Sequence, residues 1–118
     1  MPQVSIIMPC HNGEKYIRES IESVISQTFK DWELLIIDDN STDNSVFIIE
    51  SYTKQDERIS LYHTEKSTGF PATPRNVGIS NAQGRFIAFL DCDDIWLPTK
   101  LEKQIPFKWK KCNLLFLL

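Results

Sequence analysis

The amino-acid sequence predicts an α/β protein with a mostly parallel sheet and helices on both faces. Short runs of β-branched and other apolar residues alternate with segments whose apolar residues recur at helical spacing. Single helices between successive strands imply right-handed crossovers and parallel strands. The strand segments are also continuously apolar, as in Leu34 to Ile37, which is typical of strands covered on both faces.

The predicted strands are the segments richest in β-branched and aromatic residues. The first is Val4 to Met8, ended by Pro9 and followed by the turn-forming pair Asn12-Gly13. Three more follow, at 32–38, 58–63 and 85–90, with the sequences WELLIID, RISLYH and RFIAFL. The apolar stretch NLLFLL is predicted as a further strand. It either adds to this sheet or leaves an exposed surface through which copies of the chain form a homo-oligomer.

The predicted helices are recognised by apolar stripes and capping residues. The first runs from about Glu14 to Gln27, and the second follows the turn-forming stretch DNSTDNS. The third opens with Thr73 as N-cap and Pro74 as the first helical residue, and stops near Gly84. The stripe positions of the first two helices are Ile17, Ile21, Val24, Ile25, Val46, Ile49, Tyr52 and Thr53.

Composition predicts one globular domain over residues 1–118. The chain is 42% hydrophobic and 25% charged with a net charge of -3, which argues against a disordered or nucleic-acid-binding protein. Three widely spaced cysteines, Cys10, Cys92 and Cys112, have neither the spacing of a zinc site nor the density of a disulfide scaffold. They favour a reducing compartment. The sequence has no export-signal pattern and no apolar run of about 20 residues, so we expect a cytoplasmic protein.

Acidic residues follow two of the predicted strands. Ligands of open parallel sheets bind outside the carboxyl ends of the strands, which makes the stretches 9–13, 38–43 and 91–94 the candidate site. In an extended strand end, Asp91 and Asp93 point the same way and Cys92 points away. Two converging carboxylates suit Mg²⁺ or Mn²⁺, which accept substrate phosphate oxygens at their remaining positions. The alternative is that one carboxylate caps the next helix and the others are solvated.

A conventional dinucleotide cradle is not predicted. The stretch PCHNGEKY after the first strand contains one glycine, where Gly-x-Gly-x-x-Gly would supply a backbone cradle for pyrophosphate. A bound metal ion would replace that cradle.

Three stretches of the sequence resemble the family 2 inverting glycosyltransferases, which are nucleotide-sugar enzymes with the Rossmann-like GT-A fold. They are VSIIMPCHNGEKYIRESIESVISQTFKDWELLIIDDNSTDNS, PRNVGISNAQGRFIAFLDCDD and IWLPTKLEKQ, and together they cover nearly all of Val4 to Gln104. The resemblance implies inverting transfer of a sugar from a nucleotide sugar, commonly a UDP-sugar, to a glycan, lipopolysaccharide or polysaccharide. It also implies Mn²⁺ or Mg²⁺ as cofactor.

The resemblance assigns base recognition to the first two strand ends. Asp39 corresponds to the aspartate that recognises the nucleotide base, with Asp38 as a supporting neighbour. The alternative for Asp38 is that it fixes its loop by bonding backbone amides. Pro9 corresponds to a position that lines the base pocket, and His11, like Cys10, departs from the small and aromatic residues common there.

The resemblance assigns the diphosphate and the metal to the other two segments. It implies that Arg75 lies near the nucleotide or its diphosphate at a helix N-terminus, where a guanidinium and the helix dipole both favour anions. Asp91 and Asp93 correspond to the metal-binding Asp-x-Asp, with Asp94 orienting Asp93.

No catalytic base is implied within this chain. In the family, an acceptor half carrying the base follows the donor half, so we expect a donor-binding part truncated before its acceptor half. The resemblance also implies that this protein can be bound peripherally at the inner face of the membrane. Two alternatives remain open: a non-catalytic nucleotide-binding fragment, and a haloacid dehalogenase-type phosphatase with Asp91 as nucleophile.

Overall fold

Strands and helices alternate along the chain. The computed structural model describes residues 1–65, 72–108 and 115–117, with the backbone alone at 72, 106–108 and 115–117. The elements of these residues are β1 Val4–Cys10, α1 Ile17–Ile25, β2 Trp32–Asp38, α2 Ser45–Gln55, β3 Ile59–His63, α3 Ala72–Asn81, β4 Phe86–Phe89, α4 Lys100–Lys108 and β5 Leu115–Leu117.

The strands form one sheet in the order β3-β2-β1-β4-β5, and every pairing in it is parallel. The predicted α/β class with a parallel sheet is confirmed. β5 pairs with residues 86–88 of β4, so the apolar end does add a strand to this sheet. Self-association through that end stays a prediction.

Two apolar clusters lie on opposite faces of the sheet. Residues of α1 and α2 pack on one face against alternate residues of β1 and β2, such as Ile6 and Ile36. α3 packs on the other face of the sheet. It contacts the remaining residues of β1 and β2, such as Ile7 and Ile37. Helices therefore cover both faces, as predicted, which explains why the central strands are apolar at nearly every position. None of the helices among the described residues is long and apolar enough to cross a membrane.

Some element boundaries differ from the prediction. α1 begins at Ile17 rather than near Glu14, because the Gly13 carbonyl accepts the N–H groups of both Tyr16 and Ile17 and residues 14–16 form a turn. α3 begins at Ala72, so Thr73 and Pro74 lie inside its first turn and Thr73 is not the N-cap. α4, at Lys100–Lys108, was implied only by the alternative in which a carboxylate of 91–94 caps the next helix, and its bounds were not predicted. Helix ends of this kind shift by a residue or two with small changes in local hydrogen bonding.

β1 does not end before Pro9, and this proline shapes the sheet. The register of β1 with β2 continues to the pair Cys10 and Asp38, whereas its register with β4 stops at Ile7 and Phe89. Pro9 has no N–H with which to extend the ladder. β1 and β4 therefore separate beyond this point, and a crevice opens where the strand order reverses, which is the usual ligand site of such sheets.

Candidate functional site

The crevice between the carboxyl ends of β1 and β4 holds most of the predicted site residues. A cavity of about 420 Å³ there is lined by five of them: Pro9, His11, Arg75, Asp91 and Asp93. A second cavity, of about 310 Å³, shares Arg75 and Asp91 with the first and extends toward Asp94 and Trp96. Asp38 and Asp39 do not line either cavity. They lie beside the crevice, at the end of β2.

Three carboxylates converge at the end of β4. Asp91, Asp93 and Asp94 each offer an oxygen, and these oxygens all lie within 4.8 Å of one another. The predicted geometry was wrong, because β4 ends at Phe89 and the carboxylates meet through a turn in which the Asp94 N–H donates to the Asp91 carbonyl at 3.0 Å. Asp94 therefore joins the group directly. Exposed hard-oxygen donors at this spacing fit Mg²⁺ or Mn²⁺.

Arg75 brings positive charge to the same place. It lies in the first turn of α3, and its Nη2 is 3.5 Å from Asp91 Oδ1. The guanidinium carbon also lies 5.4 Å from the centre of the Phe89 ring. Nε of Arg75 is buried and has no hydrogen-bond partner among the described residues. Because the contact with Asp91 is long and solvated, it is weak, and the guanidinium can bind an anion in the crevice.

Asp38 fixes the loop that follows β2. Its Oδ1 accepts a hydrogen bond from the Ser41 hydroxyl at 2.5 Å, and its Oδ2 accepts one from the Ser41 N–H at 3.1 Å. The side chain is buried. These bonds occupy both oxygens, so the carboxylate has the loop-fixing role that the sequence analysis gave as its alternative.

Asp39 is buried but keeps one oxygen available. Its Oδ1 accepts a 2.7 Å hydrogen bond from the Thr64 hydroxyl, whereas Oδ2 accepts none from the described residues. Its carbonyl lies 2.6 Å from Nδ1 of His11. Since a carbonyl only accepts, this ring nitrogen carries the proton, and Nε2 is left to accept the Asn12 amide at 3.4 Å. His11 is thereby held as a wall of the crevice.

Asn12 joins the loops after β1 and β2, a role that the sequence analysis missed. It adopts a left-handed backbone with a φ of 50°, which asparagine tolerates better than most residues. Its Oδ1 accepts the Thr42 N–H at 2.8 Å, and its own N–H donates to the Ser41 hydroxyl at 2.9 Å. The neighbouring Gly13 N–H donates to the Ser45 hydroxyl at 2.9 Å. The only signal in the sequence was the Asn-Gly pair.

Cys10 and Cys92 lie together beside the crevice. Cys92 lines the cavity between Asp91 and Asp93 and also packs against the apolar cluster that contains Cys10. That Cys92 faces away from the two carboxylates stays a prediction. A hydrogen bond with the Cys92 thiol, reinforced by burial, raises the pKa of the Cys10 thiol well above its ordinary value. Cys10 is therefore a protonated thiol at neutral pH. No local pattern in the sequence indicates this contact, because it depends on tertiary structure.

Comparison with known proteins agrees with this geometry. Residues 5–110 match the family described as Glycosyl transferase family 2. The chain belongs to glycosyl transferase family 2. This membership confirms the family inferred from the sequence and excludes the phosphatase alternative. The chain spans about two fifths of the length of three of the curated relatives it matches, covering 43%, 42% and 41% of them, and a smaller share of three others, 17%, 17% and 15%.

One curated relative is named for its reaction. It is the Escherichia coli UDP-Glc:alpha-D-GlcNAc-diphosphoundecaprenol beta-1,3-glucosyltransferase WfgD, which is 50% identical over 107 residues, covering 91% of this chain and 41% of that protein.

Two solved structures confirm the GT-A fold. The crystal structure of Staphylococcus aureus TarS 1-349 has a TM-score of 0.83 at 34% identity, covering 89% of this chain and 32% of that one. It is also known with UDP and with UDP-GlcNAc. The mannosyltransferase PcManGT from Pyrobaculum calidifontis has a TM-score of 0.80 at 18% identity, covering 93% and 33%. At this identity, the similarity to PcManGT concerns the fold alone.

Proposed function

We propose that this chain is the donor-binding part of a metal-dependent sugar transferase. A nucleoside diphosphate sugar occupies the crevice between β1 and β4, and the sugar passes with inversion to a hydroxyl of a glycan or lipid-linked glycan. One observation carries the proposal: three carboxylates and one guanidinium lie side by side where the two strands separate. That arrangement suits a divalent cation and a diphosphate together.

The carboxylates of Asp91 and Asp93 would hold Mn²⁺ or Mg²⁺, with Asp94 beside them. When bound, such an ion neutralises charge on the diphosphate leaving group. Hard oxygen donors in an exposed turn select these ions over softer metals. The Pyrobaculum mannosyltransferase, which shares the fold, was solved with GDP-Man and Mn²⁺.

The nucleotide base is assigned to the end of β2. The available Oδ2 of Asp39 can accept the imide N–H of uracil, and the Thr64 hydroxyl orients the carboxylate through Oδ1. Asp38 contributes indirectly, by holding the loop that follows β2. Pro9 and His11 form the adjoining wall of the crevice. Uracil is favoured because WfgD is named for a UDP-sugar and TarS was solved with UDP.

Arg75 is assigned to the diphosphate. Its Nε is buried without a partner among the described residues and its Nη2 faces Asp91, so it stands beside the proposed metal site. A guanidinium there binds and orients phosphate oxygens and stabilises the departing diphosphate.

Sugar transfer also needs a general base and an acceptor substrate. No described residue is assigned as the general base that inverting transfer needs. WfgD is named for an acceptor linked to diphosphoundecaprenol, so we propose a lipid-linked or polysaccharide acceptor and a place at the inner face of the membrane. We also propose that the 118-residue chain binds donor but transfers sugar inefficiently by itself.

The test is calorimetric titration of the chain with UDP, GDP, CDP and ADP, each with and without Mn²⁺. We expect UDP to bind most tightly, and more tightly with the ion than without it. Failure of all four nucleotides to bind, in either condition, would contradict donor binding. Incubation with UDP-sugars, Mn²⁺ and glycan acceptors, followed by mass spectrometry, tests the second proposal. Repeated turnover would show that a base is present after all.

A further inference from the structure

A pair of thiols lies beside the proposed metal site, and one of them, Cys92, lines the same cavity. Cys10 is the last residue of β1 and Cys92 stands between Asp91 and Asp93. Cys10 is buried, and Cys92 is partly buried against the same apolar cluster. A Cβ placed on Gly13 would lie 3.1 Å from the Cys10 sulfur and 2.8 Å from the Cys92 sulfur. Both sulfur atoms therefore lie close to the same point, and neither is in a disulfide.

The two sulfur atoms already lie in contact. Each is close to the same point beside Gly13, and the Cys10 thiol shares a hydrogen bond with the Cys92 thiol. The ladder between β1 and β4 stops at Ile7 and Phe89, so the turn after β4, rather than the strand register, brings Cys92 to Cys10. Because the thiols touch, a small movement of this turn and of the two side chains brings the sulfur atoms to the S–S length of about 2.05 Å.

We propose that Cys10 and Cys92 form a reversible intrachain disulfide that ties the end of β1 to the Asp91–Asp94 turn. The oxidant is a small-molecule disulfide such as oxidised glutathione. Cys92, the more exposed of the two, attacks it and releases one glutathione thiol, and Cys10 then displaces the second. The two cysteines lose two electrons and two protons in all, one S–S bond forms, and the reagent leaves as two thiols.

The bond would alter the metal site, a consequence that rests on the proposed function. Closing two thiols in contact to an S–S length of about 2.05 Å pulls Cys92 toward β1. Asp91 and Asp93 flank Cys92, so their carboxylates move with it. Binding constellations keep their affinity only within about 0.5 Å of the productive geometry. The oxidised chain should therefore lose part of its Mn²⁺-dependent affinity for UDP.

Mass spectrometry tests the bond itself. The folded chain is incubated with oxidised glutathione, its remaining thiols are blocked, and its peptides are mapped. We expect a loss of about 2 Da and a peptide joining Cys10 to Cys92, both reversed by dithiothreitol. Cys112→Ser should behave like the parent, whereas Cys10→Ser should form no such peptide. Free cysteines, stable glutathione adducts alone, or a bridge to Cys112 would overturn the proposal.

Titration with UDP tests the effect on the site. The gain in UDP affinity on adding Mn²⁺ should fall at least about threefold in the oxidised parent, recover after reduction, and be insensitive to oxidant in Cys10→Ser. An unchanged gain in the cross-linked chain would overturn the effect on the metal site. If the reduced parent shows no gain, the proposed function has failed, whereas the peptide map still decides the disulfide independently.

Discussion

The hydroxyl of Thr64 donates a 2.7 Å hydrogen bond to Oδ1 of Asp39, and both side chains are buried. Thr64 follows β3 and Asp39 follows β2, so the bond joins the ends of neighbouring strands. It holds the carboxylate in one orientation before any ligand arrives. The second oxygen is then presented to a ligand without the entropy cost of ordering a free side chain.

Asp39→Asn should weaken the binding of uridine without any metal. The amide replaces an acceptor of the uracil imide N–H by a group that can present a donor, and losing a hydrogen bond to a charged group costs about 1.5–3 kcal/mol, or at least about tenfold in affinity. NMR titration with uridine measures this weak binding. Asp93→Asn is the matched control and should bind uridine like the parent. If Asp39→Asn does so too, the assignment of the base site is wrong.

Thr64→Val should lower the free energy of unfolding. The substitution keeps the shape but leaves the buried Oδ1 of Asp39 without its donor, which costs about 1–3 kcal/mol. Urea denaturation gives the difference. Thr64→Ser keeps the hydroxyl and should lose much less stability. A loss in Thr64→Val no larger than that in Thr64→Ser would contradict the role given to the hydrogen bond.

Gly78→Ala should destabilise the protein although alanine is the better helix former. Alanine gains about 1 kcal/mol of helix propensity over glycine. Its Cβ, however, would lie 2.6 Å from Ile7 Cγ2 and 2.9 Å from Ile37 Cδ1, and both isoleucines are fully buried. Overpacking of this kind costs about 1–3 kcal/mol, so the net change should be a loss, measured by urea denaturation. Ser80→Ala, on the exposed side of α3, is the control. A gain in stability for Gly78→Ala would contradict the close packing of α3 on the sheet.

Lowering the pH should remove the contribution of Asp56 to the free energy of unfolding. Hydrogen bonds from the Arg58 guanidinium hold the pKa of this carboxyl below its ordinary value. A depressed folded-state pKa gives stability above the unfolded-state pKa, about 3.9, and that stability is lost as the pH falls through the folded-state value. The difference in unfolding free energy between the parent and Asp56→Asn should therefore be largest above about pH 5 and shrink below about pH 4. Urea titrations across that range would contradict the account if the difference stayed constant.

The sequence predicted the sheet and most of its helices because local signals decided them. β1 and β2 are apolar at nearly every position, and the stripe of Ile17, Ile21 and Val24 does become the buried face of α1. The bounds of α4 were not predicted, because Pro106 lies inside it and prolines ordinarily argue against a helix interior.

The site was predicted less completely than the fold. The positions of Asp91 and Asp93 followed from a motif, but their convergence depends on a turn, with the Asp94 N–H bonded to the Asp91 carbonyl, that an extended strand end does not contain. The contacts of Thr64 with Asp39 and of Cys10 with Cys92 join segments far apart in the chain. No local pattern encodes such pairs, because they exist only after the sheet has formed.

The proposed function requires that the carboxylates after β4 hold a metal ion that binds the nucleotide diphosphate. Calorimetric titration with UDP, with and without Mn²⁺, tests it most directly in the parent, in Asp93→Asn and in Asp31→Asn, an exposed aspartate at the other end of the sheet. We expect Mn²⁺ to raise UDP affinity at least about tenfold in the parent and in Asp31→Asn but to have little effect in Asp93→Asn. Equal UDP affinity with and without Mn²⁺ in the parent would contradict the role proposed for these carboxylates.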